Sequence, residues 1–343
     1  MSRMDQKLHN ILSGHYTRND FMIADAKDGD MGGGVRMAGP RRRKDGTIDG
    51  YRTRREYLDS IKAVVAQDIV DIMLVSASNL EVLNEEGTFR NSLVKPAIRA
   101  NETTDIWGGL RSENYASAMS IPHSSAVLPR IMHGKTTATP DAPVTGTDLG
   151  LYSMTINNNL TADLASLEAY IAFRAEAGKI GFRHFLEVFN PNTATGLDQN
   201  DIGFLLNDHI VRCLAGVMKA DRPLFLKIPF NSPAAIEELA TFDPTLVVGV
   251  LGGSAGTTRD TFELVHQAER YGARLALFGR KINLAEQPLT LIALMRQVVD
   301  QAVAPKDAVR VYHAALQTSG ITPMRPLEDD LKITESALQH ERS

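Results

Sequence analysis

FRHFLEVF (182–189), DIGFLLNDHIVRCLAGVMK (201–219) and PLFLKIPF (223–230) follow one another along the chain. Two short runs rich in β-branched and aromatic residues flank a segment whose apolar residues recur at helical spacing. Strand, helix, strand in that order is the mark of a parallel sheet. The same alternation continues on both sides. Towards the C-terminus, Asn231-Ser232-Pro233 opens a helix, with Ser232 suited to the N-cap and Pro233 to the first turn. TLVVGVL (245–251) is a strand, Thr258 to Tyr271 a helix ended by Gly272, ARLALF (273–278) a strand, and Glu286 to Ala302 the last long helix. Towards the N-terminus, LGLYSMTI (149–156) is a strand, and Thr161 to Ala177 a helix with Leu164, Leu167, Ile171 and Phe173 available to a core. These make five consecutive strand–helix units.

The first half supplies the rest. FMIA (21–24) reads as strand one, Thr53 to Ala66 as a helix, and VDIMLV (70–75) as strand two. The third strand is expected at AVLPRIM (126–132), despite Pro129, or at Thr104 to Gly108. Eight units predict a single (β/α)8 TIM barrel, with a core of about 20–302, a leading helix in residues 1–18, a long first-half insertion and a C-terminal extension over 303–343. The stretch 135–147 reads as a surface excursion. An open doubly wound sheet is the competing architecture. Gly32-Gly33-Gly34 does follow strand one, but no helix follows at once and no acidic residue ends strand two, so dinucleotide binding is poorly supported.

Composition narrows the function classes. The chain has 343 residues, 43% hydrophobic and 23% charged, with a formal net charge of −4. That balance calls for neither nucleic acid nor an anionic membrane as partner. The run Arg41-Arg42-Arg43-Lys44, with Arg52, Arg54 and Arg55, is a local exception; it reads as a solvated basic loop or as a phosphate-facing one. Cys213 stands alone in a helix-like stretch, where an inert thiol and a reducing compartment are expected. The start, Met1 to Gln6, lacks a signal peptide's apolar stretch, and no run of about 18 apolar residues exists for a membrane span. A cytoplasmic enzyme is therefore expected.

A TIM barrel carries its chemistry at the C-terminal ends of its strands, often with a phosphate site after strands seven and eight. Strand seven ends in Leu251-Gly252-Gly253-Ser254-Ala255-Gly256, where glycines let amides approach an anion and Ser254 adds a hydroxyl; the following helix is expected to point its positive end there. Strand eight ends in Gly279-Arg280, close approach followed by a planar guanidinium fork. Strand six carries Lys227 among apolar neighbours, where a buried charge is costly and a neutral, nucleophilic amine is favoured; a lysine paired with a carboxylate is the alternative. Strand five carries Glu187, a static partner for Lys227 or a proton carrier. Strand one runs into Asp25-Ala26-Lys27-Asp28-Gly29-Asp30, with Asp25 expected to point inward; Asp28 and Asp30 leave magnesium open. His123, His133, His184 and His209 show no zinc-binding spacing, although His133 is placed to act as an acid or base. No metal or organic cofactor is called for.

This order of features resembles the class I aldolases of the DeoC/FbaB superfamily, in particular the DhnA-type fructose-bisphosphate aldolases and the tagatose-bisphosphate aldolases. The similarity spans roughly residues 20–300 and is best over 182–283. It implies Lys227 as the Schiff-base lysine, Asp25 as a proton-transfer residue, Glu187 as the glutamate of the tagatose-type members, and Gly253, Ser254, Gly279 and Arg280 (with Gly252) as the phosphate grip. It also implies a phosphorylated sugar as substrate and a homo-oligomer. Strand four, Tyr152-Ser153-Met154-Thr155, departs from the family in offering no lysine, and the basic loop after strand one is longer than usual. The competing functions on this barrel are a phosphosugar isomerase, epimerase or lyase, with or without a metal, and a non-catalytic sugar-phosphate-binding protein.

Overall fold

The strands are β1 Met22–Lys27, β2 Ile72–Val75, β3 Lys95–Arg99, β4 Leu149–Thr155, β5 Arg183–Phe189, β6 Leu226–Lys227, β7 Gly249–Leu251 and β8 Leu275–Phe278. The computed structural model describes residues 2–111, 114–137 and 141–339. All eight strands run parallel, in the order β6-β5-β4-β3-β2-β1-β8-β7. The two end strands meet through Ile228 opposite Val250. The Ile228 amide donates to the Gly249 carbonyl and the Leu251 amide to the Ile228 carbonyl, both at 2.9 Å. That joint turns the sheet into a (β/α)8 barrel with no free edge.

Alternation along each strand sorts residues between two cores. Met22, Ala24, Ile72, Leu74, Phe185 and Phe225 fill the barrel interior. Ile23, Met73, Val75, Leu186 and Leu226 face the surrounding helices. The helices form where their caps predict. Arg54–Gln67 opens on a Thr53/Glu56 capping box, Pro233–Phe242 on the Ser232 cap, and Thr258–Arg270 on a Thr257/Asp260 box, with Gly272 beyond its end at φ +100°. The helix Arg3–Leu12 lays Met4 and Leu8 onto the interior cluster. Asp71, wholly buried, holds that helix to the barrel by accepting from Arg3 (2.9 Å), Lys7 (3.0 Å) and the Ile23 amide (2.9 Å).

Two sequence expectations are corrected. The third strand is Lys95–Arg99, not either of the segments proposed for it. Residues Leu128–His133 form a short helix with Pro129 in its first turn, and Thr104–Gly109 a 3₁₀ helix. Pro96 is tolerated in β3 because pairing to β4 begins only at Ile98. The second correction concerns β1, which runs on to Lys27 instead of stopping at Ala24. Beyond it, an excursion makes a short hairpin, Pro40–Arg42 against Ile48–Tyr51. No helix among the described residues is long and apolar enough to cross a membrane.

Candidate active site

The inward-facing residues at the C-terminal ends of the strands change from apolar to polar or charged. On β1 the inward series is Met22, Ala24, Ala26, and the next inward position after the strand is Asp28. On β3 Ala97 is followed by Arg99, on β4 Leu151 by Ser153, on β5 Phe185 by Glu187, and on β6 Phe225 by Lys227. Asp28, Arg99, Glu187 and Lys227 are between 1% and 6% exposed, so each charge needs a partner.

The partners form one chain. Lys227 Nζ donates to Glu187 Oε1 at 2.6 Å, a pairing that follows from their being direct register neighbours across β6 and β5. Glu187 Oε2 accepts from Ser153 Oγ at 2.7 Å and from Arg99 at 3.3 Å. Arg99 also donates to Ser153 Oγ at 2.8 Å and to Asp28 at 2.5 Å. Two carboxylates and two cations thus alternate across the mouth. Burial alone would raise the Asp28 carboxyl, but the charges of Arg99 and Lys227 outweigh it and hold Asp28 below the usual carboxylate range. Burial works against the Arg99 guanidinium too, and the carboxylates of Asp28 and Glu187 more than offset it, raising its affinity for the proton.

This chain floors a cleft of about 570 Å³, within the range of small-molecule sites. Gly252, Gly253, Gly279 and Arg280 line it from the β7 and β8 ends. Gly253 has φ +63°, a conformation that favours glycine, and a side chain on Gly279 would come within 3.2 Å of the Ala26 carbonyl. Arg280 sits at the rim, solvent-exposed. Arg36 and Tyr51, from the excursion after β1, line the same cleft, as do Asp105 and Ile106 of the first-half insertion. Ser112, Glu113 and residues 138–140 of that region lie outside the described residues.

Several sequence-predicted features fall elsewhere. Asp25 lies on the outer face of β1, three residues before Asp28; it is wholly buried and paired with the equally buried Lys27 at 3.1 Å. Burial pushes the Asp25 carboxyl up and the Lys27 ammonium down. Ser254 is exposed beside the cleft, its Oγ 3.4 Å from Glu335. The N-terminus of Thr258–Arg270 is already engaged, since Asp260 accepts from the Thr257 amide and Asp330 from the Thr258 amide, at 2.9 and 2.8 Å. Of the groups expected to form an anion site, the two glycine loops and Arg280 line the cleft, and that helix end does not. Asp30 is held by Ser76 (2.7 Å) and Asn79 (3.1 Å). His133 bonds the Pro143 carbonyl at 3.0 Å and does not line the cleft.

Sequence reasoning missed Arg99 because it missed its strand. The available signal was the alternation Lys95, Ala97, Arg99 against Pro96, Ile98, bounded by Asn91-Ser92 and Asn101.

No protein-family model matches the chain, and no curated protein sequence matches it either. Solved structures do. An archaeal fructose 1,6-bisphosphate aldolase aligns at 12% identity over 86% of this chain and 98% of its own, with a TM-score of 0.59. An archaeal fructose-1,6-bisphosphate aldolase carrying the carbinolamine intermediate on its catalytic lysine aligns at 13% identity over 86% and 99%, TM-score 0.58. A Corynebacterium glutamicum protein aligns at 16% identity over 87% and 94%, TM-score 0.59. At such identities the likeness is one of fold.

Proposed function

We propose that the chain is a Schiff-base aldolase acting on a phosphorylated ketose, with Lys227 forming the imine. The observation that carries this reading is a buried lysine at the floor of a cleft rimmed by Arg280 and two glycine loops, with a carboxylate, Glu187, at 2.6 Å to exchange its proton. The aldolases of like fold, one of which holds a covalent intermediate on its lysine, support it.

In this reading Lys227 passes a proton to Glu187 and its freed amine attacks the ketone carbon. The carbinolamine hydroxyl leaves as water on taking that proton back, and an iminium remains. Asp28, ionised at neutral pH and facing the cleft, takes the proton of the C4 hydroxyl. The C3–C4 bond breaks, an aldehyde departs, and the electron pair enters an enamine. The proton on Asp28 returns to C3, and water hydrolyses the second iminium to free product and lysine. Arg280 and the Gly252, Gly253 and Gly279 backbone hold the phosphate, so that remote binding energy fixes the reacting bond above Lys227. Arg99 takes no proton; it holds the Asp28 carboxyl below the usual range and keeps Asp28 and Glu187 in place through its hydrogen bonds.

The Lys227–Glu187 ion pair also suits a second reading, in which the lysine acts only through its charge, as in a phosphosugar epimerase or decarboxylase. Aldehyde release from ketose phosphates separates the two. The wild-type chain is expected to release aldehyde with or without EDTA, and Lys227→Met to release none. Turnover that EDTA abolishes, or that survives in Lys227→Met, overturns the Schiff-base reading.

A further inference from the structure

Beside the cleft lies a second and larger cavity, of about 820 Å³, between the hairpin after β1 and residues 321–325. Arg42, Arg43, Lys44, Arg52 and Arg325 line it, against two carboxylates, Asp45 and Glu286. Both carboxylates are occupied internally. Asp45 accepts from the Thr47 amide (2.9 Å) and hydroxyl (2.7 Å). Glu286 accepts from the Tyr312 hydroxyl (3.0 Å) and the Met324 amide (2.6 Å). Among the cations, Arg43 is paired with Asp49 at 3.0 Å. The side chains of Arg42 and Lys44 make no ion pair or hydrogen bond among the described residues, and both are exposed to the cavity's solvent. Arg52 spends one terminal nitrogen on the Asn283 carbonyl and side chain, at 2.8 Å each, and its Nε is buried without an acceptor.

The walls are held in register without a ligand. The Thr322 amide donates to the Lys44 carbonyl at 2.8 Å, the Arg52 amide to the Gly39 carbonyl at 2.9 Å, and the Asn283 side chain to the Met37 carbonyl at 3.0 Å. A fixed cavity with surplus positive charge and a buried N–H lacking an acceptor is arranged for an anion. No aromatic ring lines it, so nothing is offered for a nucleobase to stack on.

We infer that this cavity is a second anion-binding site, separate from the cleft, for a compact phosphate-bearing molecule without a nucleobase. The inference does not depend on what Lys227 does. It does place the two sites back to back, because Arg52 and Asn283 line the side cavity and Asn283 lines the cleft as well, three residues after Arg280.

Calorimetric titration of the full chain with inorganic pyrophosphate at constant low salt tests this. The wild type is expected to show a binding event that weakens at least tenfold in Arg42→Ser/Lys44→Ser and persists in Arg280→Ala. Arg42 and Lys44 are exposed, so the double variant keeps its fold. Lys219→Ser, an exposed lysine near the opposite end of the barrel, should leave the affinity unchanged. Equal affinity in the double variant, loss of all binding in Arg280→Ala, or an equal drop in Lys219→Ser overturns the site. Failure of the Schiff-base reading would appear in the turnover assay and leave this titration unaffected.

Discussion

Replacing Glu187 by Gln isolates the charge chain at the cleft floor. In the wild-type chain Asp28, Arg99, Glu187 and Lys227 sum to zero. Glutamine keeps the shape and an acceptor for Lys227 and Ser153 but leaves two cations facing one carboxylate, all of them at most 6% exposed. Breaking a buried ion pair from one side costs about 3–5 kcal/mol, since the partner's charge remains out of water. Lys227→Met leaves the opposite imbalance, two carboxylates against Arg99. The double variant Glu187→Gln/Lys227→Met restores neutrality through the Asp28–Arg99 pair, which closes at 2.5 Å. It should therefore be more stable than the two single losses predict, by about 2 kcal/mol or more, in the range seen for coupled neighbours. Urea unfolding of the four proteins at pH 7, compared at a common slope, reads this directly. Additivity within about 0.5 kcal/mol would refute the buried pair, and with it the proton exchange assigned to Lys227 and Glu187.

Other consequences follow from the same geometry. Asp28→Asn should lower turnover about 10²-fold or more, whereas Asp25→Asn, on the outer face of β1, should reduce stability and leave the residual turnover per folded molecule within a few-fold; the reverse order in steady-state kinetics would return Asp25 to the cleft. Arg280→Ala should raise KM for a phosphorylated substrate about 10-fold to 100-fold, as expected for one lost charge-assisted hydrogen bond, with a smaller change in kcat. His184, buried and bonded to Tyr170 at 2.8 Å, has its pKa pushed down to about 3 by burial and, secondarily, by Arg174. The unfolded imidazole takes a proton near pH 6.5 and the folded one does not, so stability is complete above that pH and falls as the pH drops towards 3. Between pH 7 and 5 the loss should reach about 2 kcal/mol, and in urea titrations His184→Phe should lack that part of the slope. Asp71→Ala should cost about 3 kcal/mol or more in the same titrations, by releasing Arg3 and Lys7.

Several parts of this architecture are legible from the sequence because each residue there obeys one rule at a time. The runs at 149–156, 182–189 and 273–278 carry apolar residues on both faces, as strands in a covered parallel sheet do, and their intervening helices start at recognisable caps. Lys227 and Glu187 stand out because a charge in such a run has few reasons to be there. The rest fails for identifiable causes. β3, Lys-Pro-Ala-Ile-Arg, has two cations and a proline in five residues; Arg99 is buried only because Asp28 and Glu187 reach it from other elements, and half-buried Lys95 pairs with Asp148. With β1 ending at Ala24, Asp25 is the first residue of the following turn and reads as inward. Three further residues of extended chain shift the inward position to Asp28, and a change of one pleat moves a side chain to the opposite face. The helix end at Thr258 was expected to be open to a ligand; residues 330–335 cover it, and nothing local to residues 251–258 announces a partner more than 70 positions away.

The proposed chemistry makes a covalent bond at one nitrogen, Lys227 Nζ. Incubation with a ketose phosphate, reduction with borohydride and tryptic digestion report on it by mass. Trypsin normally cuts after Lys227; a reduced adduct there blocks the cut and leaves an intact peptide, residues 220–259, since trypsin spares the Arg222–Pro223 bond and no lysine or arginine lies between 227 and 259. That heavier, uncut peptide is expected, dependent on both substrate and borohydride. Full cleavage after Lys227 in an enzyme that is turning the substrate over, or an adduct on any other lysine, contradicts it.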